Sequence, residues 1–213
     1  MSNADLRALL DATLTGDRSH VEKLTVTAAV VSAVLRRDGM ETTLVGGGAI
    51  EFHAAEIYTT SDIDLIVEGR TRVDMDAALT DFGMTRRGRH WVLGEMFIEV
   101  PGNAMTDPVE TTMVGPLPLR VVRREIALAD RIVGFRHWGA TGYGAQAVAL
   151  LALFGTTLDE AMLLQRLRDE AAADALEPLR LLAQGGSRVG DAELGALLAR
   201  LREGAGRDLK GEK

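Results

Sequence analysis

Leu6, Leu9, Leu10 and Leu14 recur at helical intervals between Ala4 and Leu14, which predicts an amphipathic helix at the start of the chain. Ser19-His20-Val21-Glu22 reads as a capping box and opens a second helix that runs to Arg37 and stops at Asp38-Gly39. The period then changes. Thr42-Thr43-Leu44-Val45 is a short β-prone run ending in three glycines, and Ala49 to Ala55 returns to helical spacing. Ile63 to Val67 is a β-branched, apolar run closed by Glu68-Gly69. Thr71-Arg72-Val73-Asp74 is another capping box, whose helix extends to about Asp81 before Gly83. Strands follow around Met84 to Arg89, His90 to Leu93 and Met96 to Val100, with Pro101-Gly102 as the break. Val109 to Val114 and Leu119 to Val122 are further strand candidates around a Pro-rich turn.

From Arg124 onward the pattern is helical almost throughout. Gly139 to Gly144 separates one helix from the apolar segment 145–154. Thr157-Leu158-Asp159-Glu160 caps a Leu-rich helix, which Glu177-Pro178 interrupts or restarts. Gly185-Gly186 reads as a linker, Asp191 as the N-cap of the last helix, and the tail from Gly204 as frayed. The predicted architecture is therefore α+β: a mixed β-sheet flanked by helices over residues 1–138, followed by a C-terminal helical bundle over 139–213.

Composition narrows the chemistry. Hydrophobic residues at 46% and charged residues at 26% of the 213 are ordinary globular values. The sequence has no Cys, which excludes disulfides, thiolate zinc sites and cysteine nucleophiles. Met1 to Leu10 carries Asp5 and Arg7 and lacks the apolar core of a signal peptide, and the apolar stretch Ala145 to Phe154 is interrupted by Gln146 and too short to span a bilayer. A soluble, cytoplasmic protein without a membrane partner is expected. The formal net charge of −7 is uneven: 14 acids and 7 bases over residues 1–83, 6 and 8 over 84–138, 11 and 9 over 139–213. A dedicated double-stranded DNA binder would more often be basic overall. Even so, 21 of the 24 bases are Arg, the better fork for phosphate oxygens.

Three features carry candidate chemistry, in order along the α+β part. In Val45-Gly46-Gly47-Gly48-Ala49, a strand runs into glycines and then a helix, so backbone N–H groups can approach an anion at a helix N-terminus. The spacing matches neither a dinucleotide-binding fingerprint nor a Walker loop. In Thr60-Ser61-Asp62-Ile63-Asp64, the i, i+2 spacing on a strand places both Asp carboxylates on one face, where they repel unless a cation lies between them. Hard oxygen ligands at that separation suit Mg²⁺ or Mn²⁺. In Phe97-Ile98-Glu99-Val100, an acid embedded in an apolar β run can add a third carboxylate.

Gly-Gly-x-Ala, the fifteen-residue interval from Gly47 to Asp62, Thr-x-Asp-Ile-Asp-Leu and the later hydrophobic-acid-hydrophobic run together resemble the nucleotidyltransferase (DNA polymerase β-like) superfamily over about residues 40–140. Within it, the chain is most similar to small bacterial proteins of the abortive-infection and toxin–antitoxin type. The resemblance implies a nucleotidyltransferase-fold sheet and Mg²⁺- or Mn²⁺-dependent transfer of a nucleoside monophosphate from an NTP to a hydroxyl of RNA, protein or a small molecule. It assigns Asp62, Asp64 and Glu99 as catalytic metal ligands, and Gly46, Gly47, Thr60 and Ser61 to the nucleotide. The sequence departs from the pattern at Tyr58, where relatives often carry Arg, and at Glu99, where Asp is more frequent. Toxin relatives also use a Lys later in the domain, and the only lysines here are Lys23, Lys210 and Lys213.

Arg86, Arg87 and Arg89, or Arg120, Arg123 and Arg124, are candidate contacts to phosphate or acceptor, against the alternative of exposed strand ends. Asp130 and Arg131 read first as an exposed ion pair. His20, His53, His90 and His137 show no paired metal spacing, and His90-Trp91 reads as packed aromatic more than as a base-stacking platform. Met75, Met84 and Met96 read as core filler. A second reading, of a different class, is a non-catalytic protein of the same fold that binds a partner, as an antitoxin or assembly subunit. In that reading the helical part from residue 139 supplies a surface for a cognate partner or a homo-oligomer.

Overall fold

The structure, a computed structural model, describes residues 1–55, 57–69 and 71–208. The chain divides into two compact units, Met1–Arg123 and the remainder from Arg124.

The first unit opens with helices α1 (Asn3–Thr15) and α2 (His20–Arg37), each started by a complete capping box, Ser2 with Asp5 and Ser19 with Glu22. Strand β1 (Glu41–Val45) then passes straight into α3 (Gly46–His53), so the three glycines are the first turn of that helix and not a turn ahead of it. Helix α4 (Arg72–Asp81) follows β2 (Asp62–Glu68), capped by Thr71 and Asp74. Strands β3 (Thr85–Arg87), β4 (His90–Leu93), β5 (Met96–Gly102), β6 (Val109–Val114) and β7 (Leu117–Val122) complete a seven-stranded mixed sheet in the order β3-β4-β5-β2-β1-β7-β6.

Strand β5 runs through the expected break at Pro101-Gly102, two residues past the expected end at Val100. The β4 partner ends where His90 faces Glu99, so Pro101 lies beyond that ladder and its missing N–H leaves no β4 bond unmade, while Gly102 still pairs with Ile66. Strand β7 likewise begins two residues early, because the Gly115-Pro116 turn pairs Val114 with Leu117.

Alternation along β2 sets the layers. Ile63, Leu65 and Val67 are buried, and Asp62, Asp64 and Ile66 are partly exposed on the opposite face. On the apolar side Leu44, Leu65, Ile98, Leu119, Val121 and Trp91 join the buried residues of α2, α3 and α4, with Met75, Met84 and Met96 among them. The opposite side of β2 and β5 carries the acids.

The second unit is helical: α5 (Arg124–Trp138), α6 (Thr141–Phe154), α7 (Glu160–Asp169), α8 (Leu176–Gln184) and α9 (Asp191–Asp208). Helix α5 packs on α6, α7 and α9, which groups it with the helices after it and puts the division between units at Arg123/Arg124, ahead of the expected boundary at 138. Helix α6 begins at Thr141, so Gly142 and Gly144 lie inside it instead of separating it from the helix before. At Gly144 close packing is the reason: a Cβ there would come within 2.6 Å of the Phe135 ring and 2.9 Å of Leu194, and one on Gly134 within 2.2 Å of Tyr143, whereas a Cβ on Gly142 would meet nothing. Pro178 stands in the first turn of α8, where its absent N–H costs no helical bond. Helix α9 continues to Asp208, past the expected fraying point at Gly204, and the end of that tail, 209–213, lies outside the described residues.

Candidate functional site

Strand pairing brings the acids together. Strand β2 runs parallel to β5, with Asp62 opposite Phe97 and Asp64 opposite Glu99. Strand β4 runs antiparallel to β5, with His90 opposite Glu99. Residues opposed in register project to the same face, so Asp62, Asp64, Glu99 and His90 share one side of the sheet. Among the described residues, Asp62, His90 and Glu99 each place a ligand atom within 4.8 Å of the other two. All three are partly exposed, so water and ions can reach them.

Asp64 occupies a different position. Its carboxylate lies against the start of α3: a Cβ on Gly46 would come within 2.2 Å of Asp64 Oδ2. Gly46 also has φ +59°, a left-handed backbone that L side chains rarely adopt. Glycine is thus required here twice, by conformation and by the acid packed against it. Gly47 is buried in a similar contact, where a Cβ would meet Thr60 Oγ1 at 2.7 Å and the Tyr58 ring at 3.2 Å. No side chain caps α3, whose N-cap is Val45. Its first N–H groups and the positive end of its dipole therefore lie beside Asp64 on the acidic face.

Thr60 and Ser61 contact Asp62. The Thr60 hydroxyl donates to Asp62 Oδ1 at 3.1 Å and the Ser61 hydroxyl to the same oxygen at 3.3 Å. Thr60 is buried and its backbone N–H donates to Glu51 Oε2 at 2.8 Å. Glu51, on α3, is 1% exposed, and its other oxygen lies 2.6 Å from His20 Nδ1 at the start of α2. A buried carboxylate must have such partners to be tolerable. Glu51 escapes sequence reading because it sits in a helical run with no motif around it. The only available signal is an acid one turn after the glycines, on the helix they open.

His90 is the other residue the sequence order conceals. Spacing between histidines says nothing about it, because its partners are Asp62 on a non-neighbouring stretch of chain and Glu99 across a hairpin. His90 Nε2 lies 3.3 Å from Glu99 Oε2. Arg89 Nε lies 3.2 Å from the same oxygen and donates toward His90 Nε2 at 3.4 Å. Trp91, one residue on, faces the opposite side and is buried with Arg86 and Arg72 over its ring, the packed role expected of it.

Other candidate residues are engaged elsewhere. Arg86 pairs with Asp76 at 2.9 Å, Arg120 lies 3.6–3.7 Å from Glu68 and Glu41, and Arg124 pairs with Glu125. Asp130 pairs with Arg166 in the second unit, and Arg131 is buried there over the Tyr143 ring. Of the lysines, Lys23 lines an open cavity of about 550 Å³ with Arg18 and His20, walled on the other side by Gly94, Glu95 and Met96 at the β4–β5 turn.

No helix among the described residues is long and apolar enough to cross a membrane. No protein-family profile matches the chain and no curated protein matches it. Among solved structures it is similar to an antigenic nucleotidyltransferase-like protein from Paracoccidioides brasiliensis, at 13% identity over 72% of this chain and 92% of that one, with a TM-score of 0.49. It is also similar to the antibiotic-resistance factor ANT(2'')-Ia, at 13% identity over 78% and 94% of the two chains, with a TM-score of 0.44.

Proposed function

We propose that the protein is a divalent-cation-dependent nucleotidyltransferase, moving a nucleoside monophosphate from an NTP to a hydroxyl of an RNA, a protein or a small molecule. The motif pattern points to a setting of the abortive-infection or toxin–antitoxin kind. One observation carries the reading: the parallel β2–β5 register sets Asp62, Asp64 and Glu99 on one sheet face, beside the glycine-opened N-terminus of α3.

The donor set fits a divalent cation, since two carboxylates and an imidazole lie within 4.8 Å of one another and are open to water. Bound there, a cation supplies charge neutralisation and orientation for the phosphates. The chain's own residues do the rest. The α3 N-terminus, with Gly46 and Gly47, binds phosphate oxygens through backbone N–H groups. Thr60 and Ser61 hold Asp62 in place by their hydroxyl bonds. Glu99 orients the acceptor hydroxyl and takes its proton as the acceptor oxygen bonds to the α-phosphorus. The bond from that phosphorus to the bridging oxygen breaks, and pyrophosphate leaves with the electron pair. Most of the acceleration in such a transfer comes from positioning and charge stabilisation.

The test uses each α-labelled NTP in turn with Mg²⁺ or Mn²⁺ and a cell extract as the acceptor source, for the intact protein and for Asp62→Ala/Asp64→Ala. Label transfer by the intact protein and none by the double variant is the expected result. Transfer that survives the double substitution would sink the carboxylate mechanism.

A further inference from the structure

We propose that His90 is a direct ligand in a mixed nitrogen–oxygen cation site with Asp62 and Glu99, and that Arg89 is that site's internal competitor, holding the same donors when no cation is bound. The inference deepens the reading above and rests on it for the cation's purpose, but it is tested separately.

The hairpin builds the geometry. Strands β3 and β4 are joined by the two-residue turn Gly88-Arg89, with Gly88 at φ +62°. That turn places Arg89 at the tip and His90 as the first residue of β4, directly opposite Glu99. Asp62 enters from the other side, on β2, two residues along from Asp64, which pairs with Glu99. Two oxygens and one nitrogen thereby converge from three strands. Strands hold such positions more rigidly than loops do.

Donor chemistry selects the ion. Carboxylate and water ligands alone suit Mg²⁺, but an imidazole nitrogen favours first-row transition cations, and affinities at a mixed N/O site rise from Mn²⁺ along that series. A site with His90 among its ligands therefore prefers Mn²⁺ and its heavier neighbours to Mg²⁺, unlike the all-oxygen set that Asp62, Asp64 and Glu99 would make.

Arg89 contacts two of the same donors. Its Nε–H faces Glu99 Oε2 at 3.2 Å and His90 Nε2 at 3.4 Å. A nitrogen that accepts from a guanidinium presents its lone pair, which is the form a metal requires. Two acceptors only 3.3 Å apart repel unless positive charge lies between them, and here a guanidinium supplies it. The Arg89 side chain is 71% exposed, so little packing is lost when it swings away. An ion pair with so exposed a partner is weak enough for a divalent ion to displace.

The experiment titrates Mn²⁺ alone into the full chain by calorimetry and records electron spin-echo modulation of the bound Mn²⁺. It is run on the intact protein, His90→Gln and Arg89→Ala, with thermal melts to show that each is folded. Expected are ¹⁴N modulation in the intact protein and its loss in His90→Gln. That variant should also bind Mn²⁺ at least about tenfold more weakly. Arg89→Ala should keep the modulation and bind Mn²⁺ about two- to fivefold more tightly, as loss of a pair worth up to about 1 kcal/mol requires. Mn²⁺ bound without ¹⁴N modulation, no Mn²⁺ binding at all, or an affinity unmoved by both substitutions would each overturn the inference. A ¹⁴N signal that depends on His90 in a protein that transfers no label upholds this site and defeats the reaction proposed above.

Discussion

At the residue scale the least expected group is Glu51. Its carboxylate is buried between the Thr60 N–H and His20, and Thr60 in turn bonds Asp62. It acts on the acidic face through Thr60 and touches none of the acids itself. Truncation to Ala leaves the Thr60 N–H buried with no acceptor, which costs about 1–3 kcal/mol. Urea unfolding of Glu51→Ala should show that loss, and Glu51→Gln, whose amide oxygen can still accept from Thr60, should recover most of it. Equal losses in the two variants would mean that the Thr60 bond is not what Glu51 supplies. The Asp62/Asp64 pair was legible from i, i+2 spacing alone, because strand geometry fixes which residues share a face. What lies beside each carboxylate was not legible, since Asp64 meets Gly46 across a strand pair and Asp62 comes within 4.8 Å of His90 across two.

At the element scale, ends and turns were the most readable features. The capping boxes at Ser19 and Thr71 start helices where the sequence places them, because an N-cap needs only residues within one turn. The Ser19 backbone N–H and hydroxyl both donate to Glu22 and hold its carboxyl below the usual carboxylate range. A carboxyl depressed in the folded state contributes stability above its unfolded value and loses it as pH falls through the folded one. Melting temperatures of the intact protein and Glu22→Ala should therefore differ above pH of about 5 and converge in stronger acid. A gap that stays constant on acidification would remove the carboxylate from the cap. Element ends shaped by partners elsewhere were less readable. Strand β5 outlasts Pro101 because β4 has already ended, and α6 absorbs Gly144 because Phe135 and Leu194 press against it.

At the scale of the whole molecule, a net charge of −7 coexists with an acidic face that calls for positive charge. Any cation that binds the folded face and not the unfolded chain adds RT ln(1 + [L]/Kd) to stability. Mn²⁺ at a hundred times its Kd should thus stabilise the unit that carries the sheet by about 2.7 kcal/mol, reversed by a chelator. In Asp62→Asn the same addition should change the melting curve far less. A wild-type curve indifferent to Mn²⁺ would deny this face a specific cation. All the proposed ligands lie in the unit Met1–Arg123.

The sequence by itself determined the α+β order of elements, the helix caps at Ser19 and Thr71 and the side of β2 that faces water. Each of these is set by neighbours within a turn or by strand alternation. The tertiary structure alone decided that β2 runs parallel to β5 and that a hairpin lays His90 over Glu99. It alone joined Glu51 to Thr60 and His20, and grouped α5 with the helices that follow it. Those outcomes depend on strand order and helix packing between residues far apart in the chain, which no local period encodes.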